Sequence, residues 1–177
     1  MLIKPTLYAR TLTNRPELLG GETGLPDSGN TLVAGQFVVL TSGALVAVAD
    51  GEVLSCGQVL DASKATTAID PPYAMFGDRH FPLSLKGSRF AITVTDGSET
   101  LTEASGAPQL SEVTIGEKYG IKLVAGTGIH YLDVDNTTND FFVVVEKPAN
   151  FRGIVQTATT YNPVVIVEVI AAAIQDI

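Results

Sequence analysis

Apolar residues fall in short runs along most of this chain, and turn-favouring residues separate them. The densest stretch is residues 119–148, YGIKLVAGTGIHYLDVDNTTNDFFVVVEKP. Its β-branched and aromatic runs predict three consecutive strands. Gly126-Thr127-Gly128 joins the first two, and residues 135–139 reverse the chain between the last two. The apolar side chains do not keep to one face. Ile129 and Tyr131 share one side of the second strand, Leu132 and Val134 the other. In the third, Phe141, Val143 and Val145 oppose Phe142 and Val144. Strands apolar on both faces are covered on both. The rest of the chain, another copy or a partner must supply the second cover.

The same signals continue on either side. Residues 37–40, 44–49 and 53–60 are apolar runs separated by Thr41-Ser42-Gly43 and Asp50-Gly51. Asp-Gly tolerates positive φ, so the three runs predict an antiparallel meander. Residues 89–95 alternate, with Phe90, Ile92 and Val94 inward and Ala91, Thr93 and Thr95 outward, until Asp96-Gly97 turns the chain. A polar loop (98–109), a short strand (110–115), a turn at Gly116-Glu117-Lys118 and an irregular connection (149–162) are expected next. Residues 164–170 carry too many β-branched side chains for a helix and predict a strand with an alanine-rich, helical tail. Residues 61–88 read as a long apolar crossover with Tyr73, Met75, Phe76 and Phe81, broken by Pro71, Pro72 and Pro82; Asp61 or Ser63 can cap a short helix at its start.

This count of nine or ten strands predicts an all-β fold, a single antiparallel β-sandwich or β-barrel over residues 35–177. Residues 1–34 differ. Pro5, Pro16 and Pro26 and a glycine cluster punctuate them, and no apolar period persists. They predict an extended N-terminal arm. Its apolar pairs Leu2-Ile3, Leu7-Tyr8 and Leu18-Leu19 are the candidate contacts with a neighbouring subunit or partner.

Composition narrows the function classes. The 177 residues are 45% hydrophobic, only 17% charged and carry a net charge of −8. Low charge favours an associating chain over a free monomer. Acidity without a basic stripe argues against direct nucleic-acid binding. Cys56 is the one cysteine, so no intrachain disulfide forms, and its apolar surroundings suit a buried small side chain. The N-terminus lacks a signal-peptide pattern, and the longest apolar run is too short for a membrane helix, so synthesis in the cytoplasm is expected.

Candidate chemistry is sparse. His80 and His130 have no metal-ligand spacing and read as surface or interface histidines. Asp133, Asp135, Asn136, Asn139 and Asp140 form the one cluster of oxygen ligands. Calcium is one reading, but Thr138 stands where the helical calcium loop needs glycine. The other is a turn whose Asx and Thr side chains bond their own backbone. No nucleophile elbow or phosphate loop is present, and Glu99, Glu103 and Glu112 read as solvated surface. No cofactor, no catalytic residues and no enzymatic activity are expected.

Residues 34–66, AGQFVVLTSGALVAVADGEVLSCGQVLDASKAT, together with YGIKLV, HYLDVDNTTNDFFVV and YNPVVIVEVIAAAIQ, resemble the capsid decoration (cement) proteins of tailed bacteriophages. The resemblance spans residues 34–175. It implies a β-barrel or sandwich, assembled as a homo-oligomer (a trimer ahead of a dimer), that sits on the capsid surface of the virion. There it would bind the major capsid protein and hold neighbouring subunits together. The family has no catalytic residues to carry over. The alternative reading is a tail, baseplate or fibre module that binds a host-surface glycan through exposed aromatics such as Tyr73 or Tyr161; a small β-barrel enzyme is the third.

Overall fold

The computed structural model describes residues 6–10, 25–26, 32–33, 35–42, 44–58, 88–97, 107–125 and 127–175. Among them are twelve strands: β1 (Thr6–Arg10), β2 (Leu25–Pro26), β3 (Phe37–Thr41), β4 (Ala44–Ala47), β5 (Gly57–Gln58), β6 (Ser88–Thr95), β7 (Lys118–Val124), β8 (Ile129–Asp133), β9 (Phe142–Glu146), β10 (Asn150–Phe151), β11 (Ile154–Val155) and β12 (Val164–Val169). The fold is all-β, and its centre is a closed five-stranded barrel. Strands follow in the order β6-β12-β9-β7-β8, and β8 returns to β6. The closing seam is short and parallel, Val94 opposite Leu132 and Thr95 opposite Asp133. A four-stranded sheet, β2-β4-β3-β5, packs on the barrel, and β10-β11 forms a separate hairpin.

The barrel interior is filled by Phe90, Ile92, Val94, Tyr119, Ile121, Leu132, Phe142, Val144, Val165 and Val167, with Phe141 entering from just before β9. Alternation along β6, β9 and β12 delivers these side chains inward. The expected outward face of β6 is not solvated, however. Ala91 packs with Phe151, Val164 and Ile166 in a second cluster, and Val145 lies against it. The cover that two-faced strands require thus comes partly from the chain itself, through Phe151 of the β10-β11 hairpin.

That hairpin replaces the irregular connection expected over 149–162. Arg152 (φ 50°) and Gly153 (φ 83°) both take the left-handed conformation at its turn, the geometry that matches strand twist in a two-residue hairpin. Residues 110–115 depart in the opposite direction, forming turns instead of a strand. Their backbone finds other partners. Lys147 Nζ donates to the carbonyls of Leu110 (3.0 Å) and Val113 (2.7 Å), and Thr114 N–H donates to the Tyr119 hydroxyl. The Leu110 and Ser111 N–H groups donate to the carbonyls of Thr160 and Ala158, so this backbone is paired without a regular ladder.

Two connections also differ from a simple meander. β3 and β4 form the expected hairpin, but β5 pairs with β3, and the run 53–60 is strand only at Gly57–Gln58 among its described residues. Likewise β7 lies between β8 and β9, antiparallel to both, so residues 134–141 cross over β7 instead of reversing beside β8. Gly120 sits under that crossing. Its N–H donates to the Asn136 carbonyl at 2.7 Å, and a Cβ at Gly120 would collide with the Asn136 side chain. After β12 the alanine-rich tail makes one 3-10 turn, Ala171–Ala173. The crossover expected over 61–88, with its aromatic residues and His80, lies outside the described residues except at Ser88.

Candidate functional site

Strand edges and the joint between the two sheets carry the polar geometry of this molecule. The joint begins with β3. Phe37 and Val39 face the barrel, whereas Val38 and Leu40 pack with Leu32, Leu45 and Cys56 on the other side. The Phe37 ring enters the barrel core and meets Phe90, Phe142, Phe141 and His130 edge-on, with centroids 5.0, 5.3, 5.7 and 5.9 Å away. Such edge-to-face contacts match the positive ring edge to the negative ring face.

His130 is therefore a core residue, not the surface or interface residue expected. It is completely buried in β8. Phe37 N–H donates to Nδ1 at 3.1 Å, and Nε2 lies 2.7 Å from the Val48 carbonyl. An accepting Nδ1 requires the proton on Nε2, so the ring is neutral and Nε2–H donates to Val48. Burial lowers its pKa from 6.5 to about 4, against smaller upward pulls from the Val48 carbonyl and Asp50. One imidazole thus ties a barrel strand to two segments of the small sheet.

Further ties surround it. Gln36 Nε2 donates to the Gly128 carbonyl and Gln36 Oε1 accepts from Val33 N–H. Asp50 accepts from Lys122 Nζ and from Leu123 N–H, both at 2.6 Å. The C-terminal segment closes the far side. Gln175 pairs its side-chain amide with both backbone groups of Leu40, and Ser55 bridges to residues 173–175 through its backbone. At the hairpin base, buried Gln156 accepts from Val164 N–H and donates to the carbonyls of Val164 and Pro148. Sequence reasoning singled out none of Gln36, Gln156 or Gln175. The available signal was an uncharged amide inside or beside an apolar run, as in Gly35-Gln36-Phe37, where burial demands backbone partners.

The arm residues are placed unevenly. Leu7 and Tyr8 lie in β1, which pairs antiparallel with β6 of its own chain; Leu2, Ile3, Leu18 and Leu19 lie outside the described residues. β2 adds in parallel to β4. Both arm strands therefore extend sheet edges. Apolar side chains are exposed elsewhere, at Val53, Ile115, Ile154 and Val155, the last at 68%. Arg152 lies over the Phe151 ring, 5.4 Å from its centroid, leaving the hairpin tip cationic and apolar on an acidic chain.

The 133–140 segment forms Asx turns. Asp133 accepts from Asp135 N–H at 3.1 Å, and Asn136 from Asn139 N–H at 3.0 Å. Burial pushes the Asp133 carboxyl above the usual range. Among the described residues, no three His, Cys, Asp or Glu side chains form a group that could hold a metal. Cys56 is buried, and desolvation raises its thiol to about 11. Tyr161 bridges to Gln109; Tyr73, its companion in the glycan reading, lies outside the described residues. No protein-family model, curated protein or solved structure matches this chain.

Proposed function

We propose that this chain is a structural virion protein that binds the outside of a tailed-phage head and holds neighbouring major capsid subunits together. The observation that carries the reading is the filled barrel. Its core aromatics Phe37, Phe90, Phe141 and Phe142 are fully buried against one another, so the domain acts through its exterior. That exterior presents strand edges at β1 and β2 and apolar side chains at Ile154 and Val155. Sheet edges accept added strands, and exposed apolar side chains gain about 25 cal/mol for each Å² they bury. The resemblance of residues 34–175 to capsid decoration proteins supplies the partner, the major capsid protein.

On a repeating lattice, many modest contacts made by linked copies hold far more firmly than one. Residues 1–34, with Leu2, Ile3, Leu7, Tyr8, Leu18 and Leu19, are the candidate contact segment in this reading. The test compares DNA-filled heads prepared without this chain with the same heads after its addition, by heating and measuring DNA release. Release at a higher temperature after addition supports the reading. Release at the same temperature, with the protein left in solution, rules it out.

A further inference from the structure

We infer that β1 is a transferable strand, and that Thr6–Arg10 of one copy adds to the β6 edge of a second copy of this chain. The inference goes beyond head binding and stands apart from it. It begins with how β6 is shared. One edge of β6 pairs with β12 from Arg89 to Thr93. The other edge is divided: Val94 and Thr95 pair with β8 and close the barrel, and Ser88 to Ala91 pair with β1. The five-stranded barrel is closed without β1, so β1 is an addition to a finished unit. The Ser88–Ala91 edge nonetheless needs a strand, because an open edge leaves backbone donors and acceptors without partners.

Residues 11–24 separate β1 from β2, and fourteen residues span up to roughly 50 Å when extended. A domain of this length has a radius of gyration of roughly 16 Å, so its diameter is about 40 Å. The connection is long enough to reach a neighbour. The ladder is also the same in either arrangement: Thr6 opposite Ala91, Leu7 opposite Phe90, a one-residue irregularity at Tyr8, then Ala9 opposite Arg89 and Arg10 opposite Ser88. Exchange therefore forfeits no strand pairing, which is why swapping an identical element is a low-cost route to association.

Disulfide trapping at the Ala9–Arg89 pair tests this. Opposed residues in an antiparallel ladder lie about 4.5–5.5 Å apart at Cα, within disulfide range. In a Cys56→Ala background, Ala9→Cys chains and Arg89→Cys chains are mixed, refolded together, oxidised and run on a non-reducing gel. Exchange gives a disulfide-linked heterodimer, and the chain carrying both substitutions gives covalent dimers or larger rings. If the double variant crosslinks only within itself and the mixture stays monomeric, β1 remains at home and the inference fails. If neither preparation forms a disulfide, β1 does not occupy the β6 edge and the inference also fails. Thr6→Cys with Ala91→Cys repeats the test in the same ladder should the first pair impair folding.

Discussion

Acidification should loosen the joint between the two sheets, and His130 sets the pH at which it does. Neutral imidazole accepts from Phe37 N–H at Nδ1 and donates to Val48 from Nε2. A protonated ring has no acceptor left for Phe37, and it would place a charge in a fully buried position. The fold therefore favours the neutral form, and the pKa falls from 6.5 to about 4. The unfolded chain begins to take up this proton as pH drops below 6.5, whereas the folded chain does not until about 4. Stability is complete above the unfolded value, declines between 6.5 and 4, and is flat below for this group. The whole window is worth roughly 3 kcal/mol, of which about 2 kcal/mol is lost between pH 7 and pH 5. Asp133 acts in the opposite sense, since burial raises its pKa and the fold gains from its protonation. Comparing the native chain with His130→Gln removes that and every other shared titration. The assay is urea unfolding followed by circular dichroism at pH 7 and pH 5. The native chain should lose about 2 kcal/mol more than the variant over this interval. Equal losses would refute a neutral, buried His130.

Three further outcomes follow from the packing. Gly120→Ala should destabilise by about 1–3 kcal/mol, because the new methyl meets Asn136 in the crossing segment, and thermal unfolding should show it as a lower midpoint. Phe37→Ala should cost about 3–5 kcal/mol in denaturant titration, since the ring is fully buried among three phenylalanines and His130. Cys56, buried with its thiol raised to about 11, should resist a thiol-specific chromogenic reagent at pH 8 in the folded protein and react at once in urea.

The fold class was legible because its signals are local. Runs such as Val164–Val169 and Lys118–Val124 carry their own strand preference, and both are strands. Pairing order was not legible, because it depends on contacts distant in sequence. Nothing in residues 53–60 says that Gly57 will seek β3 past β4, and nothing in residues 134–141 says that they will cross β7. Gly120 marks that crossing only once Asn136 is known to lie above it. The 110–115 run was misread because Lys147, more than thirty residues later, takes its carbonyls. His130 was misread because a lone histidine among apolar residues looks the same on a surface strand as in a core. Its partners, the Phe37 amide and the Val48 carbonyl, are backbone groups that no side-chain motif can announce. The glutamines escaped for the same reason.

The most direct test of the proposed function is binding to heads. Expanded capsids assembled from the accompanying major capsid protein, free of this chain, are titrated with purified protein and pelleted. Saturation at a fixed number of copies for each capsomer is the expected result, with occupancy reduced on deletion of residues 1–34. Protein that stays in the supernatant at every concentration would contradict it.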